Sequence, residues 1–285
     1  MLLCFCEIIM DRSRLTITLK KDILRQLDEY IDGSRIRNRS HAIEYVLTKH
    51  FAPKIKKALI LAGGKGLKMR PFTYEMPKTM IPVNGRPVLE YIIENLRRYD
   101  VRDLIISIGH QGQKIRQYFG DGSKFGVKIS YLEQGKTETG TAAPVLRAKK
   151  LLIDNPFFVY YGDVLANLDL ADMIDFHLAN NSLVTMALTS VNRSSDWGVV
   201  RVQGNHVYSF LEKPDQRKDL SKVINAGVYI FEPNIFGYLA GANKLEHDVF
   251  PTLVEQRKLF GYLFAGQWFD VGDPEIYQQA VKNWK

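Results

Sequence analysis

The stretch Leu59–Pro82, which reads LILAGGKGLKMRPFTYEMPKTMIP, places glycines and cations directly behind an apolar run. Gly63, Gly64 and Gly66 lack a Cβ, so their backbone N–H groups can approach a phosphate closely. Neighbouring cations can neutralise the phosphate charge. They are Lys65, Lys68, Arg70 and Lys78. The pattern has neither a Walker A ending nor a dinucleotide fingerprint. It indicates a phosphate-binding loop, and the alternative is a solvated turn after a core strand.

The elements that must position this loop form a regular alternation from Lys57 onward. Apolar runs typical of strands span 57–62, 104–109, 127–132 and 157–162, and helical patterns span 88–99, 114–118 and 141–152. This rhythm predicts an α/β domain with a mostly parallel sheet covered on both faces. Ligands of such sheets bind beyond the carboxyl ends of the strands. Further strands are predicted after Asp163, with a hairpin through residues 203–205.

The spacing from Leu61 to Val83 resembles the signature LAGGxGTRLxPLTxxxPKxxxPV of sugar-1-phosphate nucleotidyltransferases, with Pro77-Lys78 at the expected place. Later segments follow in the order of that family. They are Gly140-Thr141, Tyr161-Gly162-Asp163, Trp197-Gly198-Val199, Glu212-Lys213-Pro214, Asn225-Ala226-Gly227 and Trp268-Phe269-Asp270-Val271-Gly272. The resemblance covers almost all of residues 57–285. It implies a Rossmann-like nucleotidyltransferase fold with a mixed, mostly parallel central sheet.

The resemblance implies an enzyme that transfers a nucleotidyl group from an NTP to a sugar-1-phosphate, giving an NDP-sugar and pyrophosphate. It implies Mg²⁺ as the cofactor, held by Asp163 and Asp270, because carboxylate oxygens suit this hard cation. The catalytic residues that it implies are Lys68, Lys78, Asp163, Lys213 and Asp270. A lone Asp at the end of a strand is commonly a cap, so the two carboxylates must converge for this interpretation to hold.

The binding residues that the resemblance implies form two sets. The nucleotide set comprises Leu61, Ala62, Gly63, Gly64, Lys65, Gly66, Gln134, Gly140, Thr141 and Asp163. The sugar-phosphate set comprises Gly198, Glu212, Lys213, Asn225 and Ala226.

The sequence departs from the family pattern at two places. The family's Gly-Thr-Arg is Gly66-Leu67-Lys68 here, which keeps a cation but loses the two-pronged hydrogen bonding of a guanidinium. The segment LEQGKTETGTAA supplies Glu133 and Gln134 as candidate base-reading residues, but its spacing to Gly140 differs from the pattern. The sequence therefore leaves the nucleobase and the sugar open.

Residues 11–52 predict a separate small unit. Apolar and polar residues alternate over 12–20 like a half-buried strand, a helical pattern follows up to Gly33, and Ser40 is the expected N-cap of a second helix. The unit resembles the ribbon-helix-helix domains of the MetJ/Arc/CopG class. The resemblance implies a homodimer or higher homo-oligomer that binds DNA through Arg14, Thr16, Thr18 and Ser40. The alternative is a unit that only dimerises.

The remaining features bound the function. The formal net charge of +8 suits a protein that handles anions. No apolar run reaches the length of a membrane span, and Cys4 and Cys6 allow no disulfide framework, which favours a cytoplasmic protein. A Cys-x-Cys metal site is a weaker alternative. Residues 1–10 are expected to be a ragged extension with Met10 as the natural start, and residues 53–56 a linker. The competing function is a DNA-binding regulator whose second domain, residues 57–285, senses a nucleotide or an NDP-sugar.

Overall fold

The structure, a computed structural model, describes residues 16–34, 36–51, 55–135, 140–215 and 221–284. The chain divides into two compact units, Met1–Ala52 and Pro53–Lys285. Ile55, which the sequence assigns to a linker, is buried in the core of the larger unit. Within the described ranges, each helix is too short or too polar to cross a lipid bilayer.

The smaller unit contains two helices, α1 (Lys21–Glu29) and α2 (Arg39–Phe51). Its buried apolar side chains are Leu27, Ile36 and Ala42. Residues 16–20 form no strand within a single copy, because the described part of the chain offers them no pairing partner. The predicted alternation is only partly buried here, because Leu19 packs against the small core whereas Ile17 is 44% exposed. The predicted DNA contact Arg14 lies outside the described residues.

The prediction of Ser40 as the N-cap of α2 is wrong. The helix begins at Arg39, two residues earlier than that cap would allow, and the side-chain oxygen of Asn38 accepts a hydrogen bond from the His41 amide at 3.0 Å. Asn38 is therefore the cap, since the cap side chain bonds the amide two or three positions later. Arg39 forms a two-pronged ion pair with Asp28 at 2.7 and 2.8 Å, which ties the start of α2 to the end of α1.

A nine-stranded mixed sheet organises the larger unit. Its strands are β1 (Lys57–Ala62), β4 (Asp103–Ile108), β5 (Lys128–Glu133), β6 (Phe157–Tyr161), β8 (Val184–Ser190), β9 (Gly198–Gln203), β10 (His206–Glu212), β11 (Val223–Phe231) and β12 (Leu259–Leu263). They are arranged in the order β5-β4-β1-β6-β11-β8-β12-β10-β9. Strands β5, β4, β1 and β6 are parallel, whereas β11 is antiparallel to both β6 and β8. The predicted α/β architecture with a mixed sheet is confirmed, and β9 and β10 form the predicted hairpin.

Helices cover both faces of the sheet. The one-turn helix α3 (Phe72–Glu75) packs beside Gly66. The helices on the sheet are α4 (Val88–Arg98), α5 (Gly112–Phe119), α6 (Ala142–Arg147), α7 (Lys149–Leu152), α8 (Leu170–Ala179), α9 (Phe250–Glu255) and α10 (Pro274–Asn283). Two hydrophobic cores result, one on each face, because the central strands are apolar on both sides. In α4, the apolar side chains recur at helical spacing, and all of them are buried.

Two small ladders complete the unit, and both lie next to the loops that follow the parallel strands. One joins β2 (Pro82–Val83) to β3 (Arg86–Pro87). The other joins β7 (Val164–Ala166) to β13 (Trp268–Asp270) in antiparallel fashion, with Asp270 opposite Val164. This second ladder brings two distant parts of the chain together immediately after Asp163.

Candidate active site

A cleft of about 1550 Å³ lies beyond the carboxyl ends of β1, β4 and β6. The predicted site residues that line it are Leu61, Gly63, Gly64, Lys65, Lys68, Lys78, Gln134, Gly140, Thr141, Asp163, Gly198, Glu212, Lys213, Asn225, Ala226 and Asp270. Ala62 and Gly66 are not among the lining residues, since the Ala62 side chain packs into the core. Segments from near the beginning and the end of the larger unit therefore line the same cleft.

Asp163 and Asp270 converge in this cleft with Lys78 between them. The ladder of β7 and β13 holds the backbone, and the Val271 amide donates to the Asp163 carbonyl at 2.9 Å. Lys78 Nζ donates to Asp163 Oδ2. A Cβ on Gly272 would lie 2.8 Å from Asp270 Oδ1, 3.0 Å from Lys78 Nζ and 3.1 Å from Asp163 Oδ2. The three charged atoms therefore surround one point, and only glycine leaves room for them.

The charges at this point depend on one another. Burial opposes the charged form of Lys78, but Asp163 and Asp270 outweigh it and raise the pKa of the ammonium group. Burial raises the pKa of Asp270, the negative charge of Asp163 raises it further, and Lys78 opposes both. The Gly272 amide and the Trp197 indole N–H donate to Asp270 at 2.9 and 3.0 Å. Two carboxylates held this close are stabilised either by a cation between them or by a proton on one of them.

The residues present fit a magnesium ion. The donor set is two carboxylates from separate segments, facing a cleft that also contains a glycine loop. Among the residues that the structure describes, no group of three His, Cys, Asp or Glu side chains has metal-binding geometry. Mg²⁺ does not need such a group, because it is usually bound by one or two carboxylates together with water and substrate phosphates.

The glycine loop is shaped by its neighbours. A Cβ on Gly63 would lie 2.2 Å from Gln134 Oε1, so the Gln134 amide covers this glycine at close range. Gly66 has a φ of 61°, in the left-handed region, and begins a 3₁₀ turn, Leu67–Met69. That turn places Lys68 on the cleft, with Leu67 58% exposed beside it. Residues 136–139, which lie between Gln134 and Gly140, are outside the described residues.

The far side of the cleft carries the predicted sugar-phosphate set. Lys213 Nζ is exposed and lies 3.9 Å from Glu212 Oε1. Burial raises the pKa of Glu212, and the nearby charge of Glu246 adds to this effect. Asn225 is held firmly, because its amide donates to the Tyr229 hydroxyl at 2.7 Å and its oxygen accepts from the Gly227 amide at 3.0 Å. Each of its polar atoms keeps capacity for one further hydrogen bond.

Comparison with known proteins assigns this arrangement to a family. Residues 57–285 match the family model described as Nucleotidyl transferase. The chain belongs to the nucleotidyl transferase family. That family assignment covers the larger unit from residue 57 onward and none of the smaller one.

Two similar relatives are longer than the segment that they share with this chain. It is similar to the UTP--glucose-1-phosphate uridylyltransferase of Synechocystis sp., with 34% identity over 243 residues, 80% of this chain and 63% of the relative. It is also similar to the mannose-1-phosphate guanylyltransferase catalytic subunit beta of Danio rerio, with 34% identity over 240 residues, 80% of this chain and 66% of the relative. The chain therefore spans slightly less than two thirds of the length of these relatives.

A solved UDP-glucose pyrophosphorylase complexed with UDP-glucose shares the fold. It superposes with a TM-score of 0.71 at 24% identity, covering 80% of this chain and 97% of the solved chain. At that level of identity the similarity establishes the architecture of this nucleotidyl transferase.

Glu246 was not predicted from the sequence, although it lines the cleft. It lies in a π-helical turn, Leu245–Val249, and accepts hydrogen bonds from the Thr141 hydroxyl at 2.6 Å and from the Tyr161 hydroxyl. Burial, followed by the charges of Tyr229 and Glu246, raises the pKa of Tyr161 well above its usual value, so Tyr161 remains a neutral donor. A π turn inside a helix frequently marks a functional position. The π turn is therefore the structural feature that points to Glu246, and the sequence alone does not show it.

We expect Glu246→Gln to lower kcat/KM for nucleotidyl transfer at least about tenfold, because a hydrogen bond to a charged group contributes about 1.5–3 kcal/mol. Steady-state kinetics of pyrophosphate release would measure it. Glu255→Gln, the same change at an exposed position of α9, is the matched control. A kcat/KM equal to that of this control would contradict a role for Glu246.

Proposed function

We propose that this chain transfers a nucleotidyl group from an NTP to a sugar-1-phosphate and releases pyrophosphate. The observation that carries the proposal is the meeting of Asp163, Asp270 and Lys78 around one point, opposite a glycine loop and in one cleft with Lys213. The family assignment and the relatives named above support it. The cleft is large enough to hold both substrates at once.

In the proposed reaction, a phosphate oxygen of the sugar-1-phosphate attacks the α-phosphorus of the NTP. The bond from that phosphorus to the bridging oxygen breaks, and pyrophosphate leaves with the bonding electrons. Such a transfer depends mainly on positioning and on neutralising charge. The backbone around Gly63 and Gly64 would bind the triphosphate, and Lys78 and Lys213 would draw the two phosphates together from opposite sides.

We propose Asp163 and Asp270 as the ligands of Mg²⁺. When bound, the ion supplies positive charge to the phosphate oxygens that gain negative charge in the transition state. Lys78 keeps its proton, because the carboxylates raise its pKa, and it remains a fixed cation beside the reacting phosphate. Lys68 adds a second, exposed cation at the mouth of the glycine loop. The nucleotide base would lie against Gln134 and the segment Gly140-Thr141.

Glu212 and Asn225 are the proposed ligands of sugar hydroxyls. Both are partly or fully buried, and both present an acceptor to the cleft. The Synechocystis and Danio relatives carry names that specify glucose-1-phosphate and mannose-1-phosphate. We therefore place the substrate of this chain among hexose-1-phosphates.

The test is pyrophosphate release in the presence of Mg²⁺, with each NTP paired with glucose-, mannose- and N-acetylglucosamine-1-phosphate. Release with one pair, abolished by EDTA and restored by Mg²⁺, is the expected result, and it identifies both substrates. Absence of release with every pair, while nucleotide binding is measurable, would overturn the proposal in favour of a sensor.

We also propose that the smaller unit is a ribbon-helix-helix domain that pairs two copies of the chain. A unit of this size cannot bury a sufficient core alone. Its buried apolar residues are few, whereas Ile17, Ile23, Tyr30 and Leu47 are 41–48% exposed. Pairing of residues 16–20 from two copies would supply the missing strand partner. Thr16 and Thr18 would then lie on one face of the paired ribbon, where DNA contact is proposed.

The full chain is therefore expected to sediment as a dimer or a larger even-numbered oligomer. Ile17→Lys should shift it toward monomer, because a charge would be buried against the second copy. Analytical ultracentrifugation measures this, with Gln26→Lys, which adds the same charge at an exposed position of α1, as the control. A monomeric wild-type chain would refute the pairing. A gel shift with DNA at low salt tests the second part, and absence of any shift would leave the unit as a dimerisation domain only.

A further inference from the structure

The one-turn helix α3 supports the phosphate-binding loop from behind. The Thr73 hydroxyl, which is almost fully buried, donates to the Gly66 carbonyl at 2.8 Å. A Cβ on Gly66 would lie 2.8 Å from Thr73 Cγ2 and 3.0 Å from Lys78 Cβ. The path of the loop at Gly66 is therefore set by where α3 places Thr73.

Helix α3 depends on partners outside itself. It contains four residues, and a helix this short leaves its last carbonyls without intrahelical donors. The start of α5 supplies donors to them. Gln111 Nε2 donates to the Tyr74 carbonyl at 2.8 Å and lies 3.5 Å from the Thr73 carbonyl. Lys114 Nζ donates to the Glu75 carbonyl.

The backbone conformation around Gln111 places its side chain against the carbonyls of α3. Gln111 has a φ of 55°, which is a left-handed backbone conformation that residues other than glycine adopt only at a cost in free energy. Just before it, a Cβ on Gly109 would lie 2.6 Å from the Gly63 carbonyl oxygen. The segment from Gly109 to Lys114 thus packs against the phosphate-binding loop at Gly63 and holds α3 behind Gly66.

We propose that Gln111 and Lys114 are positioning residues for nucleotide binding. They fix α3, and α3 fixes Gly66 through Thr73. The inference rests on the proposed function, because it assumes that the loop around Gly63 and Gly66 binds the NTP. It concerns the nucleotide alone, since neither residue contacts the sugar-phosphate side at Glu212 and Lys213.

Gln111→Glu tests the hydrogen bond from Gln111 Nε2 to the Tyr74 carbonyl by itself. The change preserves the size of the side chain but removes the donor and sets a carboxylate against the Tyr74 carbonyl. It should not unfold α5, because a carboxylate at the N-terminal end of a helix interacts favourably with the helix dipole. We expect the Kd and the KM for the NTP to rise about five- to tenfold, the factor that corresponds to one lost hydrogen bond, with the KM for the sugar-1-phosphate unchanged.

Lys114 offers a second, independent test. Lys114→Met should raise the Kd for the NTP by a similar factor, and Lys114→Arg should restore it, because a guanidinium also donates to a carbonyl. Gln117→Glu is the matched control for Gln111→Glu, since it makes the same chemical change at an exposed position of α5. Isothermal titration with each NTP alone gives Kd without relying on turnover.

The outcomes separate the two proposals. An NTP Kd that is unchanged in both Gln111→Glu and Lys114→Met would overturn the positioning role. An equal rise in KM for both substrates, accompanied by a lower unfolding temperature, would also overturn it and leave a merely structural role. Absence of pyrophosphate release by the wild-type chain would refute the proposed function, whereas the Kd comparison would still decide the role of Gln111 and Lys114.

Discussion

Asp163→Asn is expected to lower the rate of pyrophosphate release by about 10³-fold, the largest effect on turnover among the changes considered. A metal ion contributes several kcal/mol of charge stabilisation in phosphoryl chemistry, and about 4 kcal/mol corresponds to that factor. Asparagine keeps the shape of the side chain but loses the charge. Because Asp163 also accepts from Lys78, the change alters the charge balance at Asp270 as well.

The measurement is the single-turnover rate of pyrophosphate release with saturating substrates and Mg²⁺. Asp154→Asn makes the same change at an exposed turn and should match the wild type. Unchanged NTP affinity in the absence of metal would show that Asp163→Asn leaves the cleft intact. A rate within about tenfold of the wild type would contradict the proposed role of Asp163, because that loss corresponds to only about 1.4 kcal/mol.

The regulator hypothesis explains the site less well than the enzyme hypothesis. A sensor of nucleotides needs a cleft and cations, but it does not need two carboxylates that repel each other beside Lys78. Holding Asp270 charged there opposes the burial that raises its pKa. Hydrogen bonds from the Gly272 amide and the Trp197 indole favour the charged form nonetheless. The family assignment of residues 57–285 points the same way.

The architecture of the larger unit could be predicted from sequence because its signals are local and repeated. Alternating apolar runs and helical patterns specify a layered α/β domain, and β1 and β6 begin and end within a residue or two of their predicted runs. The sequence could state only that Asp163 and Asp270 must converge if they bind a metal ion. It could not show that they do. Their meeting depends on the short β7–β13 ladder, whose three-residue strands are too brief to leave a periodic pattern.

Other features were inaccessible for physical reasons. Glu246 belongs to a π turn, and its partner Thr141 lies 105 residues away in sequence. The reach of Gln111 depends on a left-handed backbone that no residue pattern specifies at a glutamine. In the smaller unit, Asn38 and Ser40 are both good caps, and only the position of the His41 amide distinguishes them.

Lys78→Met is expected to destabilise the folded chain, and Mg²⁺ is expected to restore much of the loss. The change removes the cation between Asp163 and Asp270 and leaves two like charges facing each other. Breaking a fully buried ion pair costs about 3–5 kcal/mol, and the Lys78 and Asp163 side chains keep 22% and 15% exposure, so we expect about 2 kcal/mol. Lys65→Met, at an exposed lysine of the same loop, is the control.

The decisive comparison is the rise in unfolding temperature on adding Mg²⁺ to each protein. A ligand stabilises the state that it binds. In the wild type, Lys78 and Mg²⁺ compete for Asp163, so the rise should be larger in Lys78→Met. An equal rise in both proteins would contradict that competition.

The pH dependence of stability has a defined sign as well. The raised pKa of Asp270 means that the free energy of unfolding falls as the pH rises from the unfolded-state pKa through the folded-state pKa. In Lys78→Met the fall should extend to a higher pH, because Lys78 no longer opposes the shift.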